Sequence, residues 1–338
     1  MQKKIIALAI ASALTAPALA FAEATVFGQA NLAINRVNDG NTNSGTSYDL
    51  SSYGSRLGLK GSEDLGTGMS VVWQMEGDVS MDTGGTTSGQ LFSRNTYLGL
   101  SGASMGTLLA GRYDTPYKIS TRRLDIFGDT VADNRRLMGV GRDVYRNNSL
   151  VYLSPSMTGF SIAAGTTFGA EGAASGQTKG TALSLAGMYE QGPIYATLAY
   201  DSLKYGNVGD LSAAPAGFAV NDESKAWKLG GGYAMDAITV NAVIEKPKFT
   251  AATGANSSST NLYLAGKFAI STTDAIKLAY TKRGDTSGMT NNVKQYALGY
   301  DHNMSSNTTV YALYTKITDN ALNAPDPSII SVGMKHMF

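Results

Sequence analysis

The chain has 338 residues, and its 27 lysines and arginines almost balance its 26 aspartates and glutamates. This near-neutral charge gives no support to nucleic-acid binding, and the absence of cysteine excludes disulfides and thiolate metal sites. No apolar run is long enough to cross a membrane as a helix.

The first 22 residues have the pattern of a cleaved secretory signal. Lys3 and Lys4 form a basic start, residues 5–16 form a short apolar core, and Ala20-Phe21-Ala22 fits a small-x-small cleavage site. We therefore predict a signal peptide over residues 1–22 and one continuous domain over residues 23–338. No further domain boundary is visible in the sequence.

From residue 24 onward, short segments alternate between apolar and polar residues, as strands with two different faces do. In the first segment, Val26, Leu32 and Ile34 share one face, while Gln29 and Asn31 share the other. We count about 16 such segments, most of them long enough to cross a bilayer when tilted. They begin near residues 24, 51, 69, 91, 106, 144, 158, 181, 193, 224, 237, 260, 274, 293, 307 and 328.

The connections between these segments alternate in length. Short turns such as SGASMG and EQGP alternate with long loops near residues 37–50, 80–90, 113–143, 169–180, 205–223, 250–259, 284–292 and 319–327. This alternation is typical of outer-membrane barrels, which have short turns on one side and long loops on the other. We predict an all-β fold: a transmembrane antiparallel β-barrel of about 16 strands, wide enough to hold an aqueous channel.

The third long loop departs from the regular strand pattern. We call Arg112–Arg146 the charged segment, because it contains seven arginines, one lysine and five aspartates in a chain that is only 16% charged. A long irregular stretch inside a compact domain is often functional. We expect the charged segment to fold into the barrel and to narrow the lumen, with its charges facing arginines of the barrel wall.

Four stretches, taken in order, resemble one protein family: residues 55–78 (SRLGLKGSEDLGTGMSVVWQMEGD), 93–117, 146–164 and 332–338 (VGMKHMF). They resemble the general (non-specific) porins of Gram-negative outer membranes, particularly the Neisseria and Burkholderia type. The resemblance implies a homotrimer whose third extracellular loop folds into the lumen. It also implies that the barrel-assembly machinery recognises the terminal Phe338.

The resemblance nominates residues of the pore wall. Arg56, Arg94 and Arg146 match the family's basic wall residues, and Arg112 is expected to line the pore below them. Glu76 also falls on the polar face of its strand and is a further candidate. The alternative for these arginines is an ordinary surface position, but an arginine that faced lipid would cost about 2–4 kcal/mol at the membrane midplane.

On the loop, Asp125 and Asp129 match the family's acidic turn, and plain solvation is the alternative for both. Gln29 stands where the enterobacterial members of the family have a further wall cation. With its flanking arginines, the charged segment has eight cations against five anions, which favours anions in the lumen. The other charged candidates of the constriction loop are Asp133, Arg122, Arg123, Arg135 and Arg136.

We therefore predict a water-filled outer-membrane channel for passive diffusion of ions and small hydrophilic solutes. Size and charge would be selected at the constriction, with no cofactor and no metal. The expected partners are further copies of the chain, outer-membrane lipid or lipopolysaccharide, and the solutes themselves. A substrate-specific channel of the same architecture, an outer-membrane enzyme and a secreted β-adhesin are the alternatives.

Two other motifs have ordinary explanations. Residues 102–106 spell the G-x-S-x-G of an esterase nucleophile elbow, but that elbow needs a strand followed by a helix and a nearby histidine. Here the motif falls in a short turn, and only His302 and His336 are present, too few to support a zinc site.

The tyrosines that we predict to form interfacial belts near strand ends are Tyr97, Tyr233, Tyr300 and Tyr311.

Overall fold

Strand segments make up most of the structure, a computed structural model that describes residues 24–40, 45–86, 89–169, 174–208, 211, 218–287, 289, 291–321 and 325–338. The predicted signal peptide lies outside these residues. The segments are β1 (Thr25–Asn38), β2 (Thr46–Ser52), β3 (Arg56–Asp64), β4 (Met69–Asp78), β5 (Thr96–Gly102), β6 (Gly106–Asp114), β7 (Tyr145–Leu153), β8 (Phe160–Thr167), β9 (Thr181–Gln191), β10 (Ile194–Lys204), β11 (Glu223–Met235), β12 (Ile238–Thr250), β13 (Asn256–Ser258), β14 (Asn261–Ala269), β15 (Asp274–Arg283), β16 (Val293–Asn303), β17 (Thr308–Asp319) and β18 (Ser328–Met337).

These eighteen segments form sixteen barrel strands, because two of the strands are interrupted. Segments β2 and β3 pair with successive parts of β1, and segments β13 and β14 pair with successive parts of β12. Neighbouring strands run antiparallel, and β18 pairs with β1, which closes the sheet. The predicted sixteen-stranded antiparallel barrel is confirmed.

The barrel strands expose their apolar face and bury their polar face, which is the reverse of the arrangement in a soluble protein. Ile34, Leu57 and Leu98 have exposed fractions of 62%, 50% and 61%, whereas Gln29 and Asn31 are buried. We call the exposed apolar face the outer face and the opposite one the inner face. A closed barrel satisfies its backbone hydrogen bonds internally, so an apolar outer face can contact lipid without an energetic penalty.

The predicted strand starts agree with the structure to within five residues. Two predicted long loops are wrong, however. The stretch 37–50 contains most of β2, and the stretch 250–259 contains a tight turn followed by β13. In β2 only Tyr48 and Leu50 are large and apolar, so the alternation there is too short to stand out in the sequence.

The charged segment contains two short helices. Helix α1 spans Pro116–Arg122, and a 3₁₀ helix spans Asn134–Arg136. The Thr115 side chain caps α1 by accepting a hydrogen bond from the backbone N–H of Lys118 at 3.1 Å, and Pro116 opens the helix where a backbone donor is not needed. In the part of the chain that the structure describes, no helix is long and apolar enough to span a membrane.

Apolar side chains of the charged segment pack against the inner face of the strands. Phe127 is fully buried in a cluster with Leu313 and other strand residues, and Leu124 packs in a second cluster. Glycines of the strands make room for them: a Cβ atom at Gly299 would lie 2.7 Å from the Phe127 ring, and one at Gly230 would lie 2.7 Å from Leu124. Larger residues at these positions would push the charged segment away from the wall.

A bulge in β7 decides the orientation of Arg146. Strict alternation would place Arg146 on the outer face with the exposed Tyr152, opposite to the buried Ser149. Between Arg146 and Ser149, the pairing of β7 with β6 shifts by one residue. Asn148, which lies in this interval, has a φ of 50°. The extra residue reverses the faces, so the Arg146 side chain is buried.

The predicted tyrosine belts are only partly correct. Tyr233 and Tyr300 are exposed on the outer face. Tyr311 is buried on the inner face, where its hydroxyl donates to Asn31 Oδ1 at 3.0 Å. Tyr97 is half-buried, and its hydroxyl donates to Gln74 Oε1 at 3.4 Å. Position near a strand end does not reveal which face a tyrosine occupies, whereas alternation does.

Candidate functional site

Asp129 joins the charged segment to strand β3. Arg56 Nη1 donates to Asp129 Oδ2 at 3.0 Å, and Arg135 Nη2 donates to Oδ1 at 3.1 Å. Gln29 Nε2 donates to the same carboxylate at 3.3 Å, and the Asn31 amide donates to the Asp129 carbonyl at 2.6 Å. Burial works to raise the pKa of Asp129, but Arg56 and Arg135 hold it well below its usual value. Asp129 therefore stays ionised.

From Asp129, opposite charges continue in a row along the wall. Arg56 Nε lies 3.4 Å from Glu76 Oε1, and Arg94 Nε lies 3.0 Å from the same oxygen. Arg94 Nη1 then contacts Asp78 Oδ1 at 3.0 Å. The structure thus brings the predicted wall residues Arg56, Arg94 and Glu76 together, and Glu76 sits between the two arginines.

Asp125 has a different environment. Its carboxylate accepts hydrogen bonds from the Tyr263 hydroxyl at 3.0 Å and from the backbone N–H groups of Phe127 and Asn134, both at 2.9 Å. Burial, with a contribution from nearby Asp133, raises the pKa of Asp125 well above its usual value. Among the described residues it forms no ion pair with an arginine, so its contacts fix the shape of the loop.

The remaining acidic candidate, Asp133, caps the 3₁₀ helix. Its carboxylate accepts from the Arg135 backbone N–H at 2.8 Å and also pairs with the Arg135 guanidinium. Arg136 is exposed, and within the described part of the chain it forms no ion pair. The charge of Arg135 is therefore shared between two aspartates, while that of Arg136 is not neutralised locally.

Arg122 and Arg123 lie at the end of helix α1 and differ in their contacts. Arg122 Nη1 lies 3.4 Å from Asp114 Oδ2. Arg123 makes a two-pronged contact with Glu190 of β9, one arm of which measures 2.7 Å, and its guanidinium lies 4.4 Å from the centre of the Tyr195 ring. Both arginines are substantially exposed.

Lys118 lies in a crowded cationic environment. Its Nζ pairs with Asp114 Oδ1 at 2.5 Å and lies 3.5 Å from the centre of the Tyr145 ring. The guanidinium groups of Arg94 and Arg112 lie 5.1 and 5.6 Å from the same ring. Burial lowers the pKa of Lys118 to about 8, against the opposing effect of Asp114. Three cations thus surround one tyrosine.

Arg112 and Arg146 are the two ends of the charged segment, and both donate hydrogen bonds to neutral groups. Arg112 Nε donates to the Ser93 carbonyl at 2.8 Å, and Nη1 donates to Asn147 Oδ1 at 2.6 Å. Arg146 Nη2 donates to the Gly141 carbonyl at 2.6 Å. These bonds orient both guanidinium groups.

A second, largely buried group of residues holds the charged segment to strands β11, β12 and β14; we call it the anchor cluster. Lys228 Nζ donates to Asp143 Oδ1 at 2.6 Å and lies 3.9 Å from the centre of the Tyr117 ring. The Tyr117 hydroxyl donates to Glu245 Oε1 at 2.8 Å, and Asn261 donates to Glu245 Oε2 at 2.7 Å. Alternation places Lys228 and Glu245 on the inner face, but nothing in the sequence pairs them with the charged segment.

Two cavities adjoin the charged segment and have four lining residues in common: Lys118, Asp129, Arg135 and Asp143. The larger cavity has a volume of about 650 Å³ and the smaller of about 540 Å³. The larger one is lined by six cations and three anions, the smaller one by five cations and four anions. The cations of the larger cavity are Arg94, Arg112, Lys118, Arg135, Arg136 and Arg146.

Comparison with known proteins agrees with this architecture. A family model described as Gram-negative porin matches residues 7–322. The chain belongs to the Gram-negative porin family. This confirms the resemblance seen in the sequence, and with it an outer-membrane location and the channel-forming function of the family.

Individual relatives of this porin cover nearly its whole length. It is 29% identical over 329 residues to outer membrane porin protein 32 of Delftia acidovorans, with 92% of this chain and 88% of that protein covered. It is 24% identical to the major outer membrane protein P.IB of Neisseria lactamica, with 100% of both covered. The anion-selective porin from Comamonas acidovorans has the same fold, with a TM-score of 0.78 at 23% identity over 94% of this chain and 100% of that one.

The G-x-S-x-G motif of this porin lies in the turn that joins β5 to β6, with Ser104 between two strands. His302 contacts Asp274, and His336 contacts Thr308. In the described part of the molecule, no group of three or more histidine, aspartate or glutamate side chains is placed to hold a metal ion. The elbow geometry that the motif would need is not formed.

Proposed function

We propose that this porin forms a water-filled channel for passive diffusion and that the charged segment lies across the lumen as its narrowest part. Contacts from many sides support this position. The segment reaches Arg56 of β3, its Leu124 carbonyl accepts from Asn241 of β12 at 2.8 Å, and its Ile126 carbonyl accepts from Lys277 of β15 at 3.1 Å. A loop that stayed outside the barrel would not contact inner-face residues of strands so far apart around the barrel.

The observation that carries the proposal is the pair of cavities with four shared charged residues. The two cavities meet at two cations and two anions, which are Lys118, Arg135, Asp129 and Asp143. Opposite charges across a narrow opening create a transverse field that sorts solutes by charge and orientation. We therefore assign solute selection to this junction.

The same cavities favour anions. The larger cavity carries three more cations than anions, and among the described residues Arg112 and Arg136 form no ion pair with a carboxylate. The structural relative from Comamonas acidovorans is an anion-selective porin, which agrees in direction. Diffusion requires no turnover, so the proposal includes no catalytic residue and no cofactor.

Single-channel recording in a planar bilayer tests the proposal. We expect discrete conductance steps and, in a potassium chloride gradient, a reversal potential of the sign given by chloride preference. Arg146→Glu should move that potential towards cation preference, because it reverses a charge in the larger cavity. Absence of steps would refute the channel, an unchanged potential would remove Arg146 from the selective region, and saturable block by one solute would favour a substrate-specific channel.

We also propose that the functional unit is a homotrimer in the outer membrane; a fold neighbour, OmpT of Vibrio cholerae, is described in a trimer form. The Phe338 backbone pairs with Gly28 through bonds of 2.8 and 3.1 Å, so the last residue completes the barrel seam. Recognition of Phe338 by the assembly machinery is part of this proposal. Native mass spectrometry should give three times the chain mass, and Phe338→Ala should lower the folded fraction in outer membranes.

A further inference from the structure

Three lysines of this porin share one arrangement, in which a buried amine lies between a carboxylate and an aromatic ring. The exposed fractions of these lysines do not exceed 7%. Their amines contact the carboxylates at 2.5 to 2.8 Å and lie 3.5 to 4.8 Å from the ring centres. Such surroundings satisfy a buried charge. The three groups are Lys118 with Asp114 and Tyr145, Lys228 with Asp143 and Tyr117, and Lys277 with Asp301 and Phe127.

Lys118 differs from the other two lysines because it borders open space. It lines both the larger and the smaller cavity, whereas Lys228 and Lys277 line neither of them. The Tyr145 ring beside its amine also lines the larger cavity, and within the described part of the chain the Tyr145 hydroxyl makes no hydrogen bond. A small solute in the cavities can therefore meet the Lys118 amine, while the other two amines are closed to it.

The surroundings of Lys118 favour the neutral form of its amine. Burial, together with Arg122 and Arg135, lowers its pKa to about 8 against the effect of Asp114. At pH 7 roughly one amine in ten is then neutral, whereas an exposed lysine with the usual pKa of about 10.4 has fewer than about one in a thousand. The neutral amine is the nucleophile, and lysines desolvated or placed beside other cations are the ones that react readily with carbonyl compounds.

The cations around Tyr145 determine which carbonyl compound fits. The guanidinium groups of Arg94 and Arg112 lie 5.1 and 5.6 Å from the centre of the Tyr145 ring, and the Lys118 amine lies 3.5 Å from the same point. Among the described residues, Arg112 forms no ion pair with a carboxylate. A carboxylate adjacent to the reacting carbonyl group could therefore bind to arginine while the carbonyl carbon contacts the amine. Small α-oxo carboxylates carry these two groups side by side.

We propose that Lys118 is a covalent capture site, at which small α-oxo carboxylates form a reversible imine with the side-chain amine. The nitrogen lone pair bonds to the carbonyl carbon, the carbonyl π electrons move to oxygen, and one proton passes from nitrogen to that oxygen. The resulting carbinolamine loses its hydroxyl group as water, which takes the second proton from nitrogen, and the C=N bond forms. Asp114, 2.5 Å from Lys118 Nζ, is placed to carry both protons. No oxidant or reductant is consumed.

Capture would change the charge at the junction of the two cavities. The ammonium group of Lys118 is replaced by an imine that carries the carboxylate of the captured molecule, so the local charge becomes more negative. The current and the chloride preference should both fall until hydrolysis releases the acid. The inference rests on the proposed function for one point, that the two cavities belong to the water-filled path of the solutes.

Reductive trapping tests the capture directly. The folded protein in neutral detergent is treated with glyoxylate and sodium cyanoborohydride at pH 7, and peptide mass spectrometry measures the rate at which each lysine gains a carboxymethyl group. Lys118 should be labelled at least about tenfold faster than Lys228 and Lys277, the controls for burial, and than the exposed Lys246. In the unfolded protein the four rates should become similar.

Two variants separate recruitment of the anion from the reaction of the amine. Arg112→Gln should slow labelling by glyoxylate about fivefold, but labelling by formaldehyde, which has no carboxylate, less than about twofold. Lys118→Arg keeps a cation that cannot form an imine. In planar bilayers, glyoxylate with cyanoborohydride should lower the wild-type current lastingly, whereas the Lys118→Arg current should recover when the reagents are washed out. Acetate, which has no carbonyl group able to form an imine, should have no lasting effect on either protein.

Labelling of Lys118 no faster than that of Lys277 or Lys246 would overturn the inference, as would a lasting loss of current in Lys118→Arg or with acetate. Equal slowing of both aldehydes by Arg112→Gln would overturn the preference for α-oxo carboxylates. The mass-spectrometric measurement needs no open channel, which keeps the two proposals apart. An unlabelled Lys118 in a protein that conducts refutes the capture site alone, and a labelled Lys118 in a protein without conductance steps refutes the channel alone.

Discussion

Two charged regions fasten the same loop in different ways. The row from Asp129 through Arg56 and Glu76 to Arg94 borders water-accessible cavities, and its charges alternate along the wall. The anchor cluster around Lys228 is largely buried, and its Asp143 is the member that reaches the cavities. In the proposed channel the first region acts on passing solutes, whereas the second acts chiefly on the position of the loop.

The comparison shows that the number of ion pairs does not reveal which charges are functional. A buried pair contributes little net stability when intact, yet losing one partner leaves a charge that water cannot reach. Breaking an ion pair at the edge of a cavity costs the folded protein little stability but changes the electric field in the cavity. Variants of the anchor cluster should therefore give an unsteady current, whereas variants of the row from Asp129 to Arg94 should alter ion selectivity.

The largest effect is expected for Lys228→Met. It removes bonds to Asp143 and Thr121 and leaves Asp143 buried without a cation, at a cost of about 3–5 kcal/mol. The charged segment should detach, so single-channel current should flicker and its mean should rise. Lys228→Met/Asp143→Leu should give a steadier current than the single variant, because the only charge left without a cation is then Glu245, which keeps its hydrogen bonds from Tyr117 and Asn261. A steady current in the single variant would contradict the anchoring role.

Arg56→Gln and Asp129→Asn should shift selectivity in opposite directions. The first removes a cation that lines the smaller cavity and should reduce chloride preference. The second removes the anion between Arg56 and Arg135 and should increase it. Reversal potentials in a potassium chloride gradient measure both, while current noise should stay at the wild-type level. Shifts of the same sign would contradict the assigned field.

A pH dependence should follow from Lys118, whose pKa is lowered by burial to about 8. Below pH 8 the amine is protonated, and above it the amine is neutral, so the junction of the cavities loses one positive charge between pH 7 and 9. Chloride preference should fall over that interval and recover on acidification. Lys118→Met should have a flat profile there, and an equal step in that variant would assign the titration to another group.

The smallest effect is expected for Arg123→Gln. Its pair with Glu190 is exposed on both sides, and such pairs contribute about 0–1 kcal/mol. Thermal unfolding should change correspondingly little, and the current should remain steady. Flickering comparable to that of Lys228→Met would show that the exposed Arg123–Glu190 pair also holds the loop in place. It would contradict the assignment of anchoring to the buried cluster.

Much of this architecture can be predicted from sequence, because a barrel strand shows its two faces directly in the alternation of residues. That alternation located sixteen strands and put Arg56 and Glu76 on the inner face. The orientation of Arg146 depends on a one-residue bulge. Alternation alone predicts that Arg146 lies on the outer face, and only the family resemblance predicted that it belongs to the pore wall. The contacts of Asp125 with Tyr263, and of Tyr117 with Glu245, join residues more than 120 positions apart, and no local pattern encodes such contacts.

The seam between Gly28 and Phe338 has a consequence for assembly. Its hydrogen bonds join residues more than 300 positions apart, so they form only when β1 and β18 have been brought together. Until then, β1 and β18 both have free hydrogen-bonding edges, which invite pairing with other chains. The sheet is therefore open and prone to aggregation until this seam forms, and only the closed barrel is a protected structure.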